Sequence, residues 1–350
     1  MYKYKVYLDG ISCEDDVEVD LSECKIRRIN KTDRLYNPQK SYKEMCFSQS
    51  PYPLTVLEGV VQLKQDISEL KDLEVFYHIK FYIYPIILRL YKVGSVFIYS
   101  IDLCDCNSGI IIRKIELNHA KLIKYRKIFD ISKEDEEPLK AFFKKFKEPL
   151  ISSFFPEKNE RKFEHLNHIF VALEMYNNAF INIGPIIGRG RYPQSQVSFL
   201  MSTLEALYSR KEENESITRS LRQRTAAVLS HFNFKALEIY SKISKLYNFR
   251  SDYLHGNVLN YKKLEKKVSQ DRIKKWEEKY KDLEPLTEEA FDFARFSLLV
   301  FIGLGKIDSI EKNGFLTLID KSLLDENNAC ELKNSLNEIK NILLWELNNN

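Results

Sequence analysis

The sequence predicts an α+β protein of two domains, a β-rich sandwich or barrel-like module followed by an all-α helical bundle. Three observations carry this. Over residues 1 to about 125, polar and apolar residues tend to alternate with the strand period of two. From about 160 onward, apolar residues recur at i, i+3, i+4 and i+7, the helical period. Between them, residues 128–160 are charged and punctuated by proline, as a connecting segment would be. A length of 350 residues suits two domains, here drawn at 1–150 and 151–350.

The β-rich half opens with Tyr2-Lys3-Tyr4-Lys5-Val6-Tyr7-Leu8, which comes close to strict alternation, and Val17-Glu18-Val19-Asp20-Leu21 repeats the pattern. Val75 to Tyr84 and Ile86 to Tyr91 are aromatic and β-branched runs that read as further strands. Lys92-Val93-Gly94 reads as a turn into a returning strand, Ser95 to Leu103. Ser108-Gly109 precedes another β-branched run, Ile110-Ile111-Ile112. The connecting segment begins with Glu134-Asp135-Glu136-Glu137. Pro138 and a Lys/Phe-rich stretch ending at Pro149 suggest a helix flanked by loops.

In the second half, Val197, Leu200, Met201, Leu204, Leu207 and Tyr208 trace one helical face, with Pro193 near its start. Ile217, Leu221, Val228 and Leu229 mark a second helix, and Leu237, Ile243, Leu246 and Tyr247 a third. Thr287 is placed to cap a helix running through Phe291, Leu298 and Ile302, which is apolar on more than one face and so central. Leu332, Leu336, Ile339 and Leu343 give a final amphipathic helix.

Composition narrows the function classes. Charged residues nearly cancel to a net +4, too little to imply nucleic acid by charge alone, so any basic patch must be local. The longest apolar runs, near Phe81 to Leu88 and Phe296 to Leu304, fall short of the roughly 20 residues that a membrane span needs. No membrane association is expected. The opening MYKYKVYLDG has no stretch resembling a signal peptide. The cysteines at 13, 24, 46, 104, 106 and 330 are scattered, which argues against a disulfide framework and for a reducing cytoplasm.

The segment with chemical content is Leu246-Tyr247-Asn248-Phe249-Arg250-Ser251-Asp252-Tyr253-Leu254-His255-Gly256-Asn257. Gly256 is a natural helix stop, which would leave His255 in the last turn, where the helix dipole favours positive charge. A proton-transferring ring near a permanent cation suits chemistry at a phosphate. An arginine and a histidine at this spacing also arise by chance, as a structural cation and a surface ring.

This segment resembles the Arg-x4-6-His motif of the HEPN family, and its surroundings are similar to the Apea-like HEPN group. The matching context runs from Phe199 to Leu207, through Arg224 to Leu229, to Lys245–Arg250 and Leu254-His255-Gly256. The resemblance covers roughly residues 160 to 345. It implies a helical bundle that dimerises, with two motif copies facing each other across one composite cleft. It further implies a metal-independent ribonuclease of bacterial toxin or antiphage-defence type, without cofactor. His255 would act as acid or base at the 2′-hydroxyl and leaving oxygen, and Arg250 would hold the scissile phosphate, leaving a cyclic phosphate end. Ser251, Asp252, Tyr253 and Asn257 would support the pair. The position after the arginine is often Asn, Asp or His in active members and is Ser251 here. The partners expected are RNA, a second copy of the chain, and a protein or phage-derived trigger at the β-rich half. The alternative is a module that dimerises and binds RNA or protein without cutting.

Glu205 and Arg224 each lie on an apolar helical stripe, where a lone charge is costly, so they are expected to pair with each other. Lys262, Lys263, Lys266 and Lys267 belong to a basic stretch between Tyr261 and Tyr280 with interleaved aromatics, a candidate RNA track or an ordinary solvated helix. Arg189 and Arg191, between glycines, form a second candidate phosphate contact or a plain surface turn. Cys104-x-Cys106 lacks a second pair at zinc spacing, and His165 with His168 lacks a third ligand, so no metal is expected.

Overall fold

The computed structural model describes residues 1–14, 17–35, 55–62, 83–94, 96–116, 129–154, 168–180, 193–213, 217–255, 278, 281–306 and 309–343. It is a mixed α+β chain that divides into two compact units, Met1–Phe155 and Pro156–Asn350. Among the described residues, no helix is long and apolar enough to cross a membrane.

The first unit is built on strands β1 (Tyr2–Asp9), β2 (Ile11–Cys13), β3 (Glu18–Asp20), β4 (Cys24–Arg28), β5 (Thr55–Val61), β6 (Phe97–Asp105), β7 (Ile111–Glu116) and β8 (Phe129–Ile131). Six of them form one sheet in the order β3-β4-β5-β1-β6-β7, all pairs antiparallel, while β2 and β8 pair in parallel. No barrel closes among the described residues, and no second large sheet makes a sandwich. The reason lies in the two faces. Alternation puts Tyr4, Val6 and Leu8 on one side with Leu57, Ile26 and Ile101, all buried. Lys3, Lys5, Glu58, Lys25 and Asp102 occupy the other beside the buried Tyr7 and Val56, a face whose charges are matched in ion pairs rather than in an apolar layer that a second sheet would cover.

Helix α1 (Ile83–Tyr91) and helix α2 (Glu136–Phe154) complete this unit. Tyr84 stacks on Phe143 with ring centres 5.6 Å apart, and Tyr91 meets Phe142 edge-on at 5.3 Å. The run Ile86 to Tyr91 is therefore helix, not strand, and residues 75–82 lie outside the described residues. Every residue of α1 is buried, so its sequence shows no polar face, and a continuous apolar run does not distinguish a buried helix from a buried strand. Pro85 sits in its first turn, where a missing N–H leaves nothing unpaired. The connecting helix expected around Pro138 is α2, with Pro138 near its start and Pro149 within it.

On the charged face, Asp33 accepts hydrogen bonds from Lys5 at 2.6 Å and from Arg27 at 2.7 and 3.0 Å. Arg34 grips Asp102 through two parallel bonds of 2.9 and 2.8 Å. Gly59 is required on the apolar side. A Cβ there would lie 2.5 Å from the Tyr4 hydroxyl and 2.6 Å from the Glu23 carbonyl.

The second unit comprises α3 (His168–Phe180), α4 (Pro193–Tyr208), α5 (Ile217–Leu229), α6 (Ala236–Leu254), α7 (Leu283–Gly303), α8 (Ser309–Ser322) and α9 (Glu326–Ile342). Helix α7 is central, as its apolar faces require. Phe291 packs on Phe180 at 4.7 Å, Phe301 on Tyr208 at 5.3 Å, and Phe296 on Phe232 at 5.7 Å. Burying such side chains contributes about 1.5–3 kcal/mol each. Thr287 is not its cap: the helix starts four residues earlier, and the Thr287 hydroxyl donates back to the Leu283 carbonyl at 2.6 Å. Leu237 also departs from expectation, being 85% exposed in the first turn of α6.

Candidate active site

Helix α6 carries the arginine and the histidine. Its buried stripe, Ile239, Ile243, Leu246 and Phe249, anchors it in the bundle. Arg250 follows at the edge of that stripe, half-buried, with its guanidinium 5.7 Å from the Tyr247 ring centre. The helix ends at Leu254, and His255 is its exposed cap residue, its backbone N–H donating to the Ser251 carbonyl at 3.0 Å. Five positions along an α-helix turn roughly 140° about the axis. Arg250 and His255 therefore leave the helix on different sides. Ser251, Asp252 and Tyr253 are half-buried on the intervening turn.

The charged partner of Arg250 is Glu205, near the end of α4. Arg250 Nη1 donates to Glu205 Oε1, a half-buried ion pair. Arg250 Nε is buried with no hydrogen-bond acceptor. Burial pushes the Glu205 carboxyl up, against the opposing pull of Arg250.

The pairing expected between Glu205 and Arg224 is thus corrected. Arg224 instead grips Asp320 of α8 through Nε at 2.7 Å and Nη2 at 2.8 Å, and also reaches Glu213 and the Tyr208 carbonyl, the latter at 2.6 Å. Arg210 joins at 2.9 Å from Asp320. Lys312 of α8 donates to the Ala206 carbonyl at 2.7 Å. Two cations therefore cap the last carbonyls of α4, the electronegative end of that helix. A helical stripe told only that each charge sits by an apolar face. It did not select among acids, and Glu213 and Asp320 come from a loop and a helix that the apolar periodicity left unmarked.

Asn257, Lys262, Lys263, Lys266, Lys267, Arg189 and Arg191 lie outside the described residues, as do Gly256 and His165. His168 is in α3, its ring edge-on to Phe301 at 6.0 Å. Cys104 is buried and Cys106 exposed, both free thiols. Among the described residues, no group of three or more His, Cys, Asp or Glu side chains is gathered to hold a metal ion.

No protein-family model, curated protein or solved structure matches this chain.

Proposed function

We propose that the helical unit is a HEPN-type endoribonuclease that cleaves RNA without a metal. The observation that carries this reading is the arrangement on α6: an exposed histidine at the helix end and, one turn and a half before it, an arginine held by a buried-edge carboxylate. The 2′-oxygen attacks phosphorus, forming the bond to O2′ as the bond to O5′ breaks. His255 takes the 2′-hydroxyl proton or delivers one to the O5′ leaving group. Arg250 binds the non-bridging oxygens and stabilises their growing charge. The products are a 2′,3′-cyclic phosphate end and a 5′-hydroxyl end.

The roughly 140° between the two side chains supports a site completed by a second copy. Arg250 of one copy and His255 of the other would then meet one phosphate. We assign the β-rich unit the role of receiving a protein or phage-derived trigger, and the whole chain a cytoplasmic toxin or antiphage role. The test is incubation of the purified chain with RNA in EDTA beside His255→Ala. Cleavage by the wild type alone, leaving cyclic phosphate ends, supports the reading. Equal cleavage by both, or none with any activator tried, favours a module that binds without cutting.

A further inference from the structure

We infer that one stripe of α9, made of Lys333, Asn337 and Lys340, joins His231 at the end of α5 to hold the phosphate backbone of an RNA strand, an inference that rests on reading the helical unit as one that handles RNA.

Helix α9 keeps its charges apart. Lys333, Asn337 and Lys340 fall at i, i+4 and i+7 and so share one stripe, Lys333 and Asn337 exposed and Lys340 half-buried. Glu331, Asn334, Ser335 and Glu338 form a different stripe, which lines a cleft with Phe315 and Leu318 of α8. A solvated helix gains about 0.2–0.5 kcal/mol from each opposite charge three or four positions away. Neither lysine has one within α9, where those positions hold Ala329, Cys330, Leu336 and Asn337. The nearest acid on the lysine stripe is Glu326, two turns before Lys333 at the start of the helix.

A third basic group joins from another element. The 3-10 turn Ser230–Phe232 follows α5 directly and packs on α9. Burial pushes the His231 ring below its ordinary value, and Lys340 and then Lys333 add repulsion, with no carboxylate to offset them. The other charges around this turn are occupied or distant. On α5, Arg224 is taken by Glu213 and Asp320, Arg222 lies on the Tyr240 ring, and Arg219 is roughly 18 Å back along the helix. At the start of α6, Lys235 and Glu238 pair with each other at 2.9 Å. On α7, whose Phe296 packs on Phe232, Arg295 is buried and bonds Asp292 at 3.3 Å. Among the described residues, neither the His231 ring nor the ammonium of Lys333 or Lys340 has a hydrogen-bond or ion-pair partner.

Cation-forming groups gathered without a counter-ion repel one another, and an anion among them reverses the sign. Lys333 and Lys340 stand about 10.5 Å apart along the axis, while a nucleic-acid strand carries a charge about every 3.4 Å of its own axis. The stripe therefore spans roughly three phosphates, with the Asn337 amide as a neutral donor between the two charges. It carries no large exposed apolar side chain of the kind that anchors a protein interface.

Binding of a single-stranded 2′-O-methyl oligoribonucleotide, which lacks the attacking hydroxyl, tests this on the full chain by fluorescence anisotropy. Lys333→Gln combined with Lys340→Gln should weaken binding about tenfold and flatten the slope of log Kd against log salt by about 1.4, from two phosphate contacts. His231→Gln should leave binding at pH 8 within about twofold, and reduce the tightening between pH 8 and pH 6 by about threefold. The His231 proton resonance, assigned by its loss in His231→Gln, should titrate at higher pH with the strand bound. Unchanged affinity and salt slope in the double lysine variant overturn the inference, as does a strand that shifts only other histidines. Displacement of the strand by inorganic triphosphate at micromolar concentration would assign the site to a free phosphate chain and overturn the RNA assignment. Binding that needs both lysines, without any RNA cleavage, would sink the ribonuclease reading and leave this site standing. RNA cleavage at wild-type kcat/KM by the double variant, with unchanged binding, would do the reverse.

Discussion

Arg224 and Asp320 meet edge to edge, two parallel hydrogen bonds of 2.7 and 2.8 Å joining α5 to α8 across 96 positions of sequence. The same guanidinium reaches Glu213 and the end of α4, so one side chain ties three elements of the bundle together. It is 2% exposed.

Arg224→Ala removes every one of these bonds and leaves Glu213 and Asp320 with Arg210 as their one shared cation among the described residues. Breaking such a buried pair typically costs about 3–5 kcal/mol, and the partial exposure of Asp320 points to the lower end, about 3 kcal/mol. Urea unfolding followed by helical circular dichroism measures this. Arg224→Lys should recover only part of the loss, because an ammonium lacks the two-pronged edge. An unchanged midpoint for Arg224→Ala would contradict the assigned role.

The β-rich unit should be acid-sensitive through Asp33. Burial pushes its carboxyl up, but hydrogen bonds from Arg27, the Asn30 backbone and Lys5 override this and bring it down to about 2. A carboxyl lowered on folding adds stability that is present above its ordinary value and lost as pH falls through the folded value. The loss should therefore run from about pH 4 down to about pH 2. Asp33→Asn should lower stability near neutral pH by about 2 kcal/mol and flatten this acid slope. A parallel acid slope in wild type and variant would refute it.

Lys312 should act in the opposite range. Burial pushes its ammonium down to about 8, with Arg224 adding repulsion. Between that value and the ordinary lysine range the unfolded chain holds the proton and the folded chain does not, so stability rises with pH there. Lys312→Met lacks this rise. Unfolding free energies of the two proteins, compared from pH 7.5 to 10, should diverge in favour of wild type as pH increases.

Gly59→Ala should lower the stability of the β-rich unit by about 2 kcal/mol or more, since the added methyl meets both Tyr4 and the Glu23 backbone. Combining it with Tyr4→Phe removes the nearer contact and should restore part of the loss, leaving the backbone clash. Thermal melts of the two variants decide the point.

Several elements were legible because their residues carry a one-sided pattern. Tyr2 to Leu8 alternates and is a strand, and Val197 to Tyr208 repeats at helical spacing and is a helix. The stretch Ile83–Tyr91 gave no such signal, because burial on every side erases the contrast that defines a period. The number and closure of sheets was likewise hidden, since a charged sheet face looks like any polar alternation until Asp33 and Arg34 fold over it.

For the site, sequence alone determined that Arg250 and His255 share the end of one helix, because spacing along a helix is local geometry. It also determined that Glu205 and Arg224 lie beside apolar faces. Which charge meets which was decided only by tertiary structure. Ion pairing selects among side chains by distance in space, and Glu205 is 45 positions from Arg250 while Asp320 is 96 from Arg224. No period in the sequence encodes those separations; the packing of α4, α5, α6 and α8 does.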